Sequence, residues 1–120
     1  DTATRTLRYA SAGHYDQYLV DGGLTVPITS GGKTIGFIQD AHYRERSVSY
    51  APGARLFLFT DGATEEFNDA REVYGEERLK SVIQSGADVR GTIDSIIADI
   101  QSFVGDRGLD DDLTIIGIEL

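Results

Sequence analysis

The chain has 120 residues, 40% of them apolar and 26% charged, the balance of one globular domain rather than of a disordered tract or two domains. Asp and Glu number 20 against 11 Lys and Arg; the formal charge of -9 repels nucleic acid and anionic lipid, so neither is expected as a partner, and attracts divalent cations. Cysteine is absent, which excludes disulfides, thiolate zinc sites and a thiol nucleophile, and His14 and His42 are too few for an imidazole metal site.

In chain order, TRTLRYASAG places Leu7 and Tyr9 on one face and Thr6 and Arg8 on the other, the pattern of a half-exposed strand. YDQYLV reads as its hairpin partner and ends at the turn pair Gly22-Gly23. From Leu24 to Gly36 the composition is that of a loop, broken by Pro27 and Gly31-Gly32. YRERSVSY is a second amphipathic strand, with Arg44 and Arg46 opposite Glu45. After the turn APGA, RLFLFT is apolar on both faces from Leu56 to Phe59, as a covered central strand requires.

The period then changes. YGEERLKSVIQSG has Glu76 and Glu77 in a first helical turn, Leu79, Val82 and Ile83 on one stripe, and Gly86 as a stop. DVRGTIDSIIADIQSFVG sets Ile93, Ile96, Ile97, Ile100, Phe103 and Val104 at helical spacing, a core-packing stripe that Gly105 ends. LTIIGIEL returns to strand. The longest apolar runs, LFLF and IIGI, are strand-sized, so neither a membrane span nor a secretory leader is expected, and the cytoplasm is the expected compartment. Strands, two helices and a last strand define the α+β class with mostly antiparallel pairing. A chain that opens on Asp, lacks Met and leaves apolar faces without cover is expected to be a segment of a longer polypeptide.

Two acidic stretches carry the candidate chemistry. Asp61-Gly62 closes the apolar strand in FTDGATEEFND, where Asp-Gly is also a common turn pair and Glu65 and Glu66 suit the first turn of a helix. Asp110, Asp111 and Asp112 open the last strand, and adjacent like charges need either full hydration or a cation. Should those two strands be antiparallel neighbours, the two acidic stretches meet at one sheet end. Oxygen donors alone suit Mg²⁺ or Mn²⁺.

His14 in AGH invites a general-acid role, although an isolated histidine of this kind is more often a turn residue satisfied by hydrogen bonds. His42 has less to recommend it. TSGGKTIGF lacks the strand and helix context of a phosphate-binding loop and reads as loop punctuation, and Arg44 and Arg46 are expected to face solvent.

YASAGH, TDGATEEFN, YGEERL and DDLTIIGIEL, in this order, resemble the later part of bacterial metal-dependent serine/threonine phosphatases of the PP2C-like type. The group that looks closest is the stress-response and sporulation phosphatases that act on anti-sigma-factor antagonists, and the resemblance covers essentially the whole chain. It implies an α-β-β-α sandwich of two antiparallel sheets flanked by helices, with residues 1–120 as the C-terminal portion of a single phosphatase domain. It implies two divalent cations, Mn²⁺ or Mg²⁺, at one end of the sandwich. Matched residue by residue, Asp61 of TDG and Asp111, counted back from Thr114 in DDLT, take metal-ligating positions; Asp112 takes the neighbouring position and Asp110 lies outside the motif.

The reaction so implied is hydrolysis of phosphoserine or phosphothreonine on a bacterial regulatory protein by metal-activated water, with no side-chain nucleophile. The family's first metal-binding Asp, followed by Gly on an earlier strand, has no counterpart among these residues, so the segment alone is expected to bind metal weakly. PGA stands where the family often has PGD, with Ala54 at the far end of the strand from Asp61. A catalytically silent interaction module with the same fold is the alternative, and a β-rich binding module using the acidic loops for structural Ca²⁺ is a third. Exposed sheet edges also make self-association an expectation.

Overall fold

The computed structural model describes residues 1–29 and 31–120. Among the described residues six strands and two α-helices follow one another as β1 (Thr6–Tyr9), β2 (Gln17–Asp21), β3 (Leu24–Ile28), β4 (Arg46–Ser49), β5 (Arg55–Phe59), α1 (Glu76–Ser85), α2 (Val89–Val104) and β6 (Ile115–Glu119). A four-stranded antiparallel sheet has the order β3-β2-β5-β6, and β1 pairs with β4 in a two-stranded sheet. Mixed helices and antiparallel sheets match the expected α+β class.

Two strand readings change. YDQYLV is not the hairpin partner of β1, because β1 pairs antiparallel with β4, Leu7 opposite Val48. β2 turns forward instead: Gly22 and Gly23 take φ of 56° and 81°, a left-handed pair that closes a tight hairpin with Asp21 opposite Leu24. Leu24 to Ile28 is therefore strand β3, not loop. Pro27 does not forbid this, since β3 is an edge strand and an edge tolerates a missing N–H.

β5 is central, paired with β2 on one side and β6 on the other, which explains why Leu56 to Phe59 are apolar on both faces. Its helix-side residues Phe57 and Phe59 join Tyr18 and Val20 of β2 in a core closed by Leu79 and Ile83 of α1 and Ile96, Ile100 and Val104 of α2. On the opposite face Leu56 packs with Leu19, Ile28 and Tyr50, and Leu7, Tyr9 and Val48 of the small sheet lie against that cluster. Between the two sheets an apolar hollow of about 480 Å³ opens under Leu7, Tyr9, Leu56 and Leu58.

Asp88 caps α2 by accepting from Gly91 N at 2.8 Å, and Gly105, at φ 61°, ends it. The two helices are locked by Asp99, which takes Arg78 Nε and Nη2 at 2.8 and 3.0 Å and the Tyr74 hydroxyl at 2.7 Å. Arg78 also lies over the rings of Tyr74 and Phe103. Among the described residues no helix is long and apolar enough to cross a membrane.

Candidate functional site

The antiparallel pairing of β5 with β6 brings the end of one strand to the start of the other, with Phe59 opposite Ile115. Thr60 extends the junction: its N–H donates to Thr114 O at 3.1 Å, and its hydroxyl donates to Asp112 O at 3.3 Å while accepting from Thr114 N at 3.1 Å. Asp61 follows at once. It opens a single 3-10 turn, Asp61–Ala63, and Asp61 O accepts from the N–H groups of the two residues after the turn, Thr64 and Glu65, both at 2.8 Å. No α-helix starts there, so Glu65 and Glu66 are not first-turn residues of one.

Gly62 is the contact point with the acidic loop. A β-carbon there would stand 2.7 Å from Asp112 O, so Gly62 is needed for closeness rather than for an unusual φ. The three aspartates separate by surroundings. Asp110 is engaged by Arg107, whose Nη2 reaches its two carboxylate oxygens at 2.8 and 2.7 Å. Asp111 Oδ1 accepts from Asp112 N at 2.7 Å, and the side chains of Asp111 and Asp112 stay exposed. Asp61 Oδ1 accepts from its neighbour Gly62 N at 3.1 Å. The two acidic stretches thus meet at one sheet end, with Asp110 occupied by an arginine.

A cleft of about 260 Å³ opens beside Asp61, lined by Ala12, Gly13, His14, Tyr15, Thr60 and Asp61. His14 sits in it as a turn residue: its N–H donates to Ser11 Oγ at 3.1 Å, and its ring Nδ1 lies 3.4 Å from Gln17 Nε2. Gln17, 8% exposed, also accepts from Phe59 N at 2.6 Å, so one amide ties the cleft wall to the end of β5. Tyr15 donates to Glu65 Oε1 at 3.0 Å. That bond, then the Glu65 charge, burial and the Asp61 charge, raises the Tyr15 hydroxyl above the ordinary phenol range. His42 is exposed on a loop away from the cleft lining.

The glycine-rich stretch packs as a loop on the same turn, with Ile35 N donating to Ala12 O at 3.2 Å; Ser30 lies outside the described residues. Glu66, Gln17 and Tyr15 were not singled out from sequence. Gln17 carried a signal, a lone amide heading an apolar strand. Glu66 carried none, since Glu65 beside it has the same chemistry.

The stage II sporulation protein E (SpoIIE) family matches residues 1–120. The chain belongs to the SpoIIE family. Its fold is that of PP2C phosphatase domains: it superposes on the SiaA-PP2C domain of Pseudomonas aeruginosa with a TM-score of 0.85 at 24% identity, covering 100% of this chain and 48% of that one. A manganese-presoaked phosphatase domain of SpoIIE from Bacillus subtilis gives a TM-score of 0.75 at 13% identity, covering 100% of this chain and 53% of that one. In sequence the chain is 26% identical over 122 residues to protein IcfG of Synechocystis, covering 98% of this chain and 19% of IcfG. This SpoIIE-family chain thus spans about half, or less, of the length of the relatives it matches.

A hard divalent cation fits this donor set in part. The donors are oxygens, Asp110 is paired with Arg107, and the two acidic stretches meet at Gly62. Among the described residues no three His, Cys, Asp or Glu side chains group as a metal cage, so the donors on this chain are the separate carboxylates of the two acidic stretches. Magnesium, which keeps several of its waters, needs fewer protein oxygens than calcium, which takes six to eight oxygen ligands.

Proposed function

We propose that the polypeptide carrying this chain is a metal-dependent protein serine/threonine phosphatase, with these residues as the C-terminal portion of its catalytic domain. Asp61 and Asp111 hold Mn²⁺ or Mg²⁺, completed to two ions by a carboxylate from outside these residues. The substrate is a phosphorylated bacterial regulatory protein of the anti-sigma-factor antagonist type. Family membership and the PP2C fold support the reaction class. The carrying observation is the packing of Asp61-Gly62 against the Asp110–Asp112 loop at one end of the β5–β6 pair.

When bound, the cation supplies Lewis acidity toward water and neutralises charge on the phosphoryl group. The chain's own residues do the rest. Thr60 pins the two acidic stretches together through three hydrogen bonds, and Gln17 fixes the cleft wall against β5. His14 and Tyr15 present polar groups where a phosphorylated side chain enters beside Asp61. Glu65 holds the Tyr15 hydroxyl as a donor, so that its proton is engaged and its oxygen remains available to accept.

Phosphate release from a phosphoserine protein, followed with and without Mn²⁺, tests the reading. Manganese-dependent release that disappears in Asp111→Ala is the expected result. A folded, metal-loaded protein without turnover would instead favour the silent interaction module.

A further inference from the structure

Glu66 is only 1% exposed, and among the described residues no basic side chain pairs with it. A buried carboxylate without a counter-charge is costly, so what holds it there is informative. Its partners are two consecutive main-chain N–H groups of the acidic loop: Asp110 N donates to Oε2 at 2.9 Å and Asp111 N donates to Oε1 at 3.3 Å. One carboxylate gripping successive N–H groups restrains the peptide between them, and such charge-assisted bonds exceed neutral ones in strength.

The segment that carries Glu66 is itself fixed. Tyr74 N donates to Glu66 O at 2.8 Å, Gly75 N to Thr64 O at 2.9 Å, and Phe67 bridges Val73. Upstream, Glu65 N is bound to Asp61 O at 2.8 Å. Glu66 is therefore a strut between the turn that begins with Asp61 and the loop that contains Asp111.

We propose that Glu66 is the positioning residue of the metal centre: through Asp110 N and Asp111 N its carboxylate sets the main chain from which Asp111 reaches the cation. This rests on Asp61 and Asp111 being the ligands. Its negative charge adds to those of the loop, so cation binding also relieves a repulsion built into the metal-free chain. The role differs from that of Asp61 or Asp111, since each oxygen of Glu66 accepts from a main-chain N–H and the side chain is buried.

The test is a Mn²⁺ titration of the polypeptide carrying this chain, with free Mn²⁺ read by electron paramagnetic resonance and folding followed by circular dichroism. Glu66→Gln, which keeps the size and removes the charge, and Glu66→Asp, which keeps the charge and shortens the reach, are compared with wild type, Asp61→Ala and Asp111→Ala. Exposed Glu72→Gln serves as control. Both Glu66 variants are expected to bind Mn²⁺ roughly 10- to 100-fold more weakly, the usual penalty for losing a group that orients a ligand, with turnover largely recovered at saturating Mn²⁺.

Wild-type affinity in a folded Glu66→Gln, beside lost binding in Asp111→Ala, overturns the positioning role alone. A lower melting temperature with unchanged Mn²⁺ affinity overturns it as well, since that is a fold-stability effect only. Unchanged binding in Asp61→Ala and Asp111→Ala overturns the ligand assignment and the role of Glu66 with it. Should Glu66→Gln not fold, Glu66→Asp decides by the same titration.

Discussion

Gly62 has no room for a side chain, and the site depends on that. Alanine there places a methyl carbon 2.7 Å from Asp112 O, and one of the two acidic stretches must move. Gly62→Ala is expected to lose about 1–3 kcal/mol of stability, the range for overpacking a fitted contact, read by urea denaturation. Gln17 is the other single point of failure. Its Oε1 is the acceptor for the buried Phe59 N, so Gln17→Leu leaves that N–H unsatisfied at a cost of about 1–3 kcal/mol. The same change frees the His14 ring from its amide neighbour, and an altered His14 ring signal in NMR would accompany the destabilisation. Sequence alone made Asp61 visible because it closes an apolar strand, and the aspartate triplet because adjacent like charges need hydration or a cation. It did not rank Glu66 over Glu65, since only packing turns one inward and leaves the other exposed.

At the scale of elements, the helices were legible and the strand pairing was not. α2 announces itself by isoleucines at helical spacing, a local pattern that packing then uses as written, with Ile96, Ile100 and Val104 buried. β1 and β4 are four-residue strands separated by more than thirty residues, and nothing local names one as the partner of the other. The α1–α2 lock yields a pH prediction. The Arg78 hydrogen bond, aided by the Tyr74 hydroxyl and opposed by burial, holds the Asp99 carboxyl below the ordinary carboxylate range. Burial, then the Asp99 hydrogen bond, pushes the Tyr74 hydroxyl well above the phenol range, so it stays a donor. Because the folded value of Asp99 is the lower one, its contribution is fully present above its unfolded value of about 3.9 and is lost as pH falls through the folded value. Asp99→Asn is expected to flatten the loss of stability in that acid window. With the Arg78 and Asp99 side chains 43% and 30% exposed, its cost at neutral pH is roughly 0.5–1 kcal/mol, measured by denaturant unfolding across pH.

The whole molecule is a flat slab with principal extents of 45 × 40 × 18 Å. Its radius of gyration, 15.6 Å, exceeds the roughly 13–14 Å of a compact domain of this length. Helices cover one face of the four-stranded sheet, while the other keeps Leu24, Val26, Ile116 and Ile118 exposed beyond the reach of the small sheet. A formal charge of -9 on so thin a body means that self-repulsion weakens the folded state at low ionic strength. Raising NaCl from about 0.01 to about 0.15 M is therefore expected to raise the melting temperature, because the Debye length shrinks from about 30 to about 8 Å. Mn²⁺ at far lower concentration is expected to raise it further, and Asp61→Ala with Asp111→Ala to remove that extra rise, both read by calorimetry.

Local chemistry thus determined much of this protein: the α+β class, the central strand β5, both helices and the two acidic stretches follow from period, turn residues and charge. Those signals act over a few residues and survive in any fold. The tertiary structure alone decided that β1 pairs with β4, that Leu24–Ile28 joins the sheet edge, and that Arg107 pairs with Asp110. It alone turned Glu66 inward onto the acidic loop. Each of these joins groups distant in the chain or selects between neighbours of equal chemistry, and only packing in three dimensions supplies the difference in burial and contact that settles them.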